Sequence, residues 1–363
     1  METNDAKNWL SADRVSHPDD HIADALGMVP EGMSVSRCAV KFAIMHEYGG
    51  GPERWAKIAE IALHDARGND ERSATFLLEV VDGGRRVPGA DLGSFVDNEL
   101  AIAGGCIDRL PDGSRKRELA VLRGYHLSII KIAQGDLAGA AAGYDAQAAM
   151  SDDSLAKAQA AYMAAWCRMM AETYWCAEMR GIRMSPGFLE AFCFAGTQLV
   201  AASHGTDSGP RLKGNFIANV MLGYWLANDW TSVAAELSMK IDDLQRLVEP
   251  PHNLGAALGD GLGFAKTLRD YHESDRADAA GEGAGFGDNE KVSLEWRLWG
   301  WLLHLAFFVS IYDENCKEEG TRRRQMFGYA RKIIDCPGVG GATARRLAKE
   351  ILAAYPEEVV AGD

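Results

Sequence analysis

The sequence lacks the long apolar run that a membrane protein needs. Its most apolar stretch, residues 298–312, covers 15 positions and contains His304, whereas a membrane-spanning helix needs roughly 20 apolar residues. Residues 1–7 carry no apolar segment, so we expect no signal peptide. These absences predict a cytoplasmic protein that makes no membrane contact.

Paired cysteines are also missing. The seven cysteines are odd in number and form no CxxC pair, the spacing that many zinc and redox sites use. Most of them lie in apolar stretches, as Cys167 does beside Trp166. This usage indicates buried free thiols in a reducing compartment.

Positive charge is scarce over most of the chain. The 363 residues include 38 Lys and Arg against 52 Asp and Glu, a net charge of −14. Such a surface does not favour nucleic acid or membrane binding over its whole extent. Apolar content of 47% and charged content of 25% are typical of a folded protein, with one large or two moderate domains.

Strand-like alternation is almost absent, and helical periodicity extends along most of the chain. Residues 75–78 are the strongest strand candidate. A helix over 155–179 should stop at Gly181, and Ser185 followed by Pro186 should begin the next helix. The predicted fold class is all-α. The predicted helices cover 52–68, 69–81, 118–133, 137–150, 155–179, 189–203, 212–227, 230–247, 254–271, 292–312, 322–334 and 342–355.

Two turns between predicted helices share one residue pattern. The first has Ala133, Gly135, Asp136, Leu137, Ala140 and Tyr144, and the second has Ala227, Asp229, Trp230, Val233 and Leu237. The pattern resembles the turn inside tetratricopeptide repeats, where a small residue and Asp precede a large apolar residue. The resemblance implies helical hairpins stacked as a tetratricopeptide-like solenoid. The alternative is an irregular helical bundle, since any antiparallel helical hairpin uses similar turns.

One polar, glycine-rich stretch divides the predicted helices. Residues 272–290 are predicted to form a loop or linker. The predicted organisation is a helical repeat domain over 1–271, this linker, and a C-terminal helical unit over 291–363.

A basic segment stands out on the acidic chain. Residues 321–349 contain eight Lys or Arg and one acid, a local charge of +7 that leaves −21 for the rest. Within it, residues 336–347 read as Cys, Pro, Gly, Val, Gly, Gly, Ala, Thr, Ala, Arg, Arg and Leu. This order resembles the helix-hairpin-helix motif of proteins that bind DNA without sequence specificity, in a single copy and without the Lys that often follows the second glycine.

The resemblance implies an anion site at the start of the last helix. Bare backbone N–H groups and the helix dipole attract phosphate at such a position, and nearby cations would contact a nucleic acid backbone without reading its sequence. Two alternatives remain: the segment closes the fold with its arginines on the acidic surface, or it binds another anionic partner. The candidate residues are Gly338, Gly340, Gly341, Arg345, Arg346, Lys349, Arg322, Arg323 and Arg324.

Other motifs do not predict a metal or a cofactor. Residues 17–20, His-Pro-Asp-Asp, resemble a zinc motif of GlcNAc-PI de-N-acetylase-like deacetylases, but no strand precedes them. The glycines between residues 255 and 263 lack the GK[ST] sequence and the preceding strand of a phosphate loop. Glycines at this spacing favour close helix packing instead, so we expect no metal and no cofactor.

The function expected from these patterns is a non-catalytic helical-repeat scaffold that binds a protein or peptide partner. One alternative is a nucleic-acid-associated factor that uses the basic C-terminal hairpin. Another is an enzyme with an unrecognised helical active site, although no catalytic residue can be named from the nine scattered histidines. The same cations could also dock on a second copy of the chain, so a homo-oligomer is compatible with the sequence.

Overall fold

The computed structural model describes residues 68–85, 93–227, 230–273, 285–312, 319–336 and 341–355. Helices account for nearly all regular structure there, which confirms the all-α prediction. The described helices are α1 (Asp70–Arg85), α2 (Gly93–Arg109), α3 (Ser114–Gln134), α4 (Leu137–Met150), α5 (Ser154–Ala171), α6 (Pro186–Ala202), α7 (Gly209–Leu226), α8 (Trp230–Val248), α9 (Ala256–Glu273), α10 (Gly285–Asp288), α11 (Leu294–Ser310), α12 (Glu319–Ile334) and α13 (Ala342–Ala354). Two short strands, β1 (Tyr174–Cys176) and β2 (Gly181–Arg183), follow α5.

Local signals set several helix boundaries. Asp136 caps α4 by accepting a hydrogen bond of 2.8 Å from the backbone N–H of Gly139, which satisfies a donor that the first turn would otherwise leave unpaired. Asp153 caps α5 in the same way. Gly135 has φ of +83°, so the turn between α3 and α4 uses the left-handed conformation that favours glycine.

The predicted helix over 155–179 is wrong in its last third, from residue 172 onward. The helix ends at Ala171, and residues 174–183 form an antiparallel β-hairpin in which Trp175 faces Ile182 across the strands. Both of these side chains are buried. The hairpin ends at β2, and Ser185 then begins α6 with Pro186 in the first turn, although the Ser185 side chain makes no capping bond.

The helix predicted over 69–81 is confirmed by α1. Residues 75–78, the strongest strand candidate, therefore lie inside a helix, where the Thr75 hydroxyl donates a hydrogen bond of 2.9 Å to the carbonyl of Glu71. This bond lets a β-branched residue sit in a helix. The sequence analysis predicts no helix between Gly93 and Arg109, where the structure forms α2.

The chain divides into two compact units, residues 1–127 and 128–363. In the first unit α1 packs against α2, and an ion pair of 2.6 Å joins Asp70 to Arg109. The linker prediction over 272–290 remains a prediction because residues 274–284 lie outside the described ranges. The helices on either side of it, α9 and α11, contact each other within the second unit.

The second unit is built from helices that stack in chain order. Each described helix from α4 to α13 packs against the next one. Next-but-one contacts join α7 to α9, α9 to α11, and α11 to α13. The Tyr162 hydroxyl accepts a hydrogen bond of 3.3 Å from the amide nitrogen of Asn219 and so joins α5 to α7. These contacts link the long helices α5, α7, α9, α11 and α13 in one row, in which only the four-residue α10 is described between α9 and α11.

Glycines allow close approach between helices in this row. A Cβ added at Gly261 of α9 would lie 2.9 Å from Cβ of Ala218 on α7. A Cβ at Gly223 of α7 would lie 2.7 Å from a methyl carbon of Leu189. The packing interpretation of the glycines between 255 and 263 thus holds at Gly261, whereas Gly259 faces open space.

The core of the second unit centres on α11. Trp299, Trp301, Phe307 and Phe308 are buried there, as expected for aromatic residues at helical spacing. The five cysteines among the described residues are free, and burial raises the pKa of Cys167 to about 12. Across the described ranges, no helix has the length and apolar character required to cross a membrane.

Candidate functional site

The predicted anion site lies only partly within the described residues. Residues 337–340, with Gly338 and Gly340, lie outside them. Gly341 is buried at the N-cap of α13, and a Cβ added there would lie 2.5 Å from a methyl carbon of Leu298. Glycine at this position is therefore explained by the close contact between α13 and α11.

Arg346 is bonded to the protein itself. Its guanidinium donates to the carbonyl of Met170 at 3.0 Å, to the carbonyl of Thr173, and to Oε1 of Glu350 at 2.7 Å. The second oxygen of Glu350 accepts the backbone N–H of Trp175 at 2.9 Å. Arg346 and Glu350 therefore fasten α13 to the end of α5 and to β1.

The three arginines of α12 lie at its first turns. Arg322 donates to the carbonyl of Ile311 at 3.5 Å, and Arg323 lies 5.8 Å from the ring centre of Phe327. Arg324 is exposed and donates to the hydroxyl of Thr321 at 3.3 Å.

The remaining cations lie on α13. Arg345 donates to the carbonyl of Cys336, beyond the other end of α12, at 3.2 Å, and Lys349 is exposed. Because a helix rises about 1.5 Å per residue, positions 322 and 336 are roughly 20 Å apart. The structure thus places Arg322 and Arg345 near opposite ends of α12.

The β-hairpin carries an exposed surface that the sequence analysis does not predict. Tyr174 and Arg183 are paired across the strands, so their side chains lie on the same face. Nε of Arg183 lies 3.4 Å from the sulfur of Met179. Tyr174 is 49% exposed and Met179 63% exposed. We call the side chains of Tyr174, Met179 and Arg183 the hairpin face.

The hairpin is fixed to the rest of its unit at several points. Arg180, with φ of +46°, donates a hydrogen bond of 2.5 Å to the carbonyl of Tyr312. Trp175 and Ile182 are buried beneath the hairpin face. The sequence signal for this surface is the strand preference of the aromatic residues Tyr174 and Trp175, which is too short to outweigh helical periodicity.

Polar side chains adjoin the aromatic residues of α11. Buried His304 shares a hydrogen bond with the hydroxyl of Tyr271, and its ring stacks on Tyr329 with 5.1 Å between ring centres. Lys332 donates to Asp288 at 2.7 Å, and the indole N–H of Trp301 donates to the same oxygen at 3.0 Å. Burial opposes ionisation of Asp288, but these two bonds outweigh it and lower its pKa.

The first unit holds a buried acid on α2. Glu99 is 4% exposed, and its Oε2 has no hydrogen-bond partner within the described part of the chain. Burial raises the pKa of Glu99, although a hydrogen bond from Asn98 acts in the opposite direction. Among the described residues, no group of three or more His, Cys, Asp or Glu side chains is placed to hold a metal ion. The sequence His17–Asp20, for which no metal site is predicted, lies outside these residues.

The helix packing and the described side chains define the class of the protein, which is an all-α protein of stacked helices. Comparison with known proteins gives no relative: no family model, no curated protein and no solved structure matches the chain.

Proposed function

We propose that this chain is a non-catalytic helical-repeat scaffold that binds a protein or peptide partner. The observation that carries the proposal is the stacking of the described helices in chain order from α4 to α13, with further contacts that link α7 to α9, α9 to α11 and α11 to α13. Helical hairpins stacked in this way create an extended surface that partners use for binding.

The turn between α3 and α4 supports tetratricopeptide-like hairpins. Leu137, Ala140 and Tyr144, the apolar positions of the pattern, are all buried. Ser128 of α3 accepts a hydrogen bond of 3.1 Å from Gln147 of α4, and a Cβ added at Gly143 of α4 would overlap Oγ of Ser128. Ser128 and Gly143 lie at equal distances from the turn residues Gly135 and Asp136, as in an antiparallel hairpin. The second turn of the pattern, with Asn228 and Asp229, lies outside the described residues.

Purification of the tagged full chain from its source tests the proposal. We expect one protein to remain bound in a stoichiometric amount. The complex should form again from the separately purified components, and light scattering should give the summed mass. A chain that retains no protein at stoichiometric level at low salt, in repeated preparations, would contradict the proposal.

Nucleic acid binding is a second candidate, supported by the exposure of Arg324 and Lys349 on the basic helices. Fluorescence anisotropy with random-sequence duplex DNA at low and high salt tests it. Phosphate contacts predict binding that weakens steeply with salt and is lost in Arg324→Glu with Lys349→Glu. Arg211→Glu, which changes an exposed cation on α7, should leave binding unchanged. If the chain does not bind duplex DNA at low salt, the nucleic acid candidate is wrong.

A further inference from the structure

We propose that the hairpin face is a docking surface for an acidic segment of a protein partner. A carboxylate of the segment would pair with Arg183, and a neighbouring aromatic or aliphatic side chain would pack on Tyr174 and Met179. The inference rests on the proposed protein-binding function and names the class of segment that the partner supplies.

The three side chains form one continuous surface. Arg183 lies between the other two, opposite Tyr174 in the strand register and 3.4 Å from the sulfur of Met179. A Cβ added at Gly181 would lie 2.9 Å from Nη1 of Arg183, so the guanidinium lies across this glycine. Tyr, Arg and Met are enriched where proteins bind each other, because they combine large apolar area with polar groups.

The charge of the surface favours a carboxylate. Nη1 of Arg183 donates to the carbonyl of Ile182 at 2.8 Å, and Nη2 makes no bond to any described residue. Arg180 and Arg183 form no ion pair within the described part of a chain whose net charge is −14. A guanidinium offers two parallel N–H donors that match a carboxylate. Among the described residues, Arg183 is therefore a cation with no paired anion, next to exposed apolar side chains.

The surface is held in place before any partner arrives. Glu350 accepts the N–H of Trp175, Arg346 bonds the carbonyl of Thr173, and Arg180 bonds the carbonyl of Tyr312. These bonds fix both ends of the hairpin to the packed helices. Binding to a fixed surface loses less conformational entropy than binding to a mobile loop.

Other occupants fit this surface less well. A nucleic acid backbone needs many phosphate contacts to bind tightly at physiological salt, whereas two apolar side chains flank Arg183. A second copy of the chain would add a net charge of −14 to an equal one, and this overall repulsion opposes association. A short acidic segment carries few charges, so it gains the local attraction of Arg183 and meets less of the overall repulsion than a second copy does.

Selection of random peptides displayed on phage against the immobilised full chain tests the inference. The expected sequences carry Asp or Glu beside an aromatic or aliphatic residue. The best peptide is then synthesised with a fluorescent label and titrated with wild type, Tyr174→Ser and Arg183→Glu. Arg183→Glu should weaken binding at least tenfold, and Tyr174→Ser several-fold. Replacing the peptide's acidic residue by Lys should restore binding to Arg183→Glu.

Two control variants match these changes elsewhere on the second unit. Arg211→Glu reverses an exposed cation on α7, and Phe194→Ser removes an aromatic residue that is 69% exposed on α6. Neither should change peptide affinity by more than twofold. Circular dichroism of every variant checks that the helices remain, so that loss of binding can be assigned to the surface.

The outcomes separate this inference from the proposed function. If a stoichiometric partner or selected peptides bind Arg183→Glu as tightly as they bind wild type, the scaffold proposal stands and the proposed docking surface is wrong. If neither partner nor peptide binds wild type, both fail. Three results would each contradict an acidic segment as the occupant. The selected peptides could lack acidic residues, duplex DNA could bind and lose its binding in Arg183→Glu, or the chain could self-associate and become monomeric in Arg183→Glu.

Discussion

At the scale of single residues, Arg346 joins elements that are distant in the sequence. It lies 176 positions from Met170, whose carbonyl it bonds, and it pairs with Glu350, which itself bonds Trp175. A cation on an acidic chain can therefore serve the fold rather than a ligand. Lys349, one turn away, has the same charge, but its side chain is exposed to solvent.

We expect Arg346→Ala to lower the free energy of unfolding by about 2 kcal/mol, because the carbonyls of Met170 and Thr173 and the carboxylate of Glu350 lose their donor. The control Lys349→Ala should change it by less than about 0.5 kcal/mol. Urea denaturation followed by circular dichroism measures both. Equal stabilities of the two variants would show that Arg346 does not anchor β1.

Glu99 makes the stability of the first unit depend on pH. Because burial raises its pKa in the folded state, the folded protein binds more protons than the unfolded one just above the ordinary Glu pKa of about 4.3. Stability therefore falls as pH rises from that value through the raised pKa. Glu99→Gln removes this loss, so the stability of the variant relative to wild type should increase with pH.

Urea denaturation of wild type and Glu99→Gln at a series of pH values from about 4 to 8 checks this sign. The matched control is Glu118→Gln on α3, where the carboxylate is exposed. If the difference in the free energy of unfolding between Glu99→Gln and wild type stays constant with pH, the pKa of Glu99 is not raised.

At the scale of elements, helix packing depends on where glycine lies on α9. A Cβ added at Gly261 would meet Cβ of Ala218, which cannot move without its backbone, whereas one added at Gly259 on the same helix would meet no described neighbour within 4 Å. The two glycines lie two positions apart in one helix, so their intrinsic helix propensities are equal. They differ in the space available for a methyl group.

We predict opposite effects for the same substitution at these two positions. Gly259→Ala should raise the free energy of unfolding by roughly 0.5–1 kcal/mol, because alanine favours the helix. Gly261→Ala should lower it by about 1–3 kcal/mol, because the added methyl group forces α7 and α9 apart. Thermal and urea denaturation of both variants provide the measurement. A stabilised Gly261→Ala would mean that these helices are not in close contact.

The sequence predicts elements that rest on local signals and misses those that rest on distant partners. Asp136 and Gly135 mark the start of α4 because capping and left-handed turn residues act within a few positions. The β-hairpin is missed because its strands have three residues each and are bonded to Glu350, 175 positions away. Individual candidate cations are visible in the sequence, but bonds to their own backbone carbonyls, as at Arg346, are not.

At the scale of the whole molecule, charge is distributed unevenly. Residues 321–349 carry +7 and the rest of the chain −21. Part of that positive charge, at Arg322, Arg345 and Arg346, is directed to backbone carbonyls in the described structure. The hairpin face adds a separate cation, Arg183, beside apolar side chains. These placements support a protein partner more than a nucleic acid one.

The most direct test of the central claim is calorimetric titration of the purified partner into the full chain at low and moderate salt. Protein binding predicts a stoichiometric complex that persists at moderate salt, since apolar contacts do not depend on screened charges. Heat that appears only at low salt, with duplex DNA competing for the same sites, would contradict a protein-binding scaffold and favour the nucleic acid alternative.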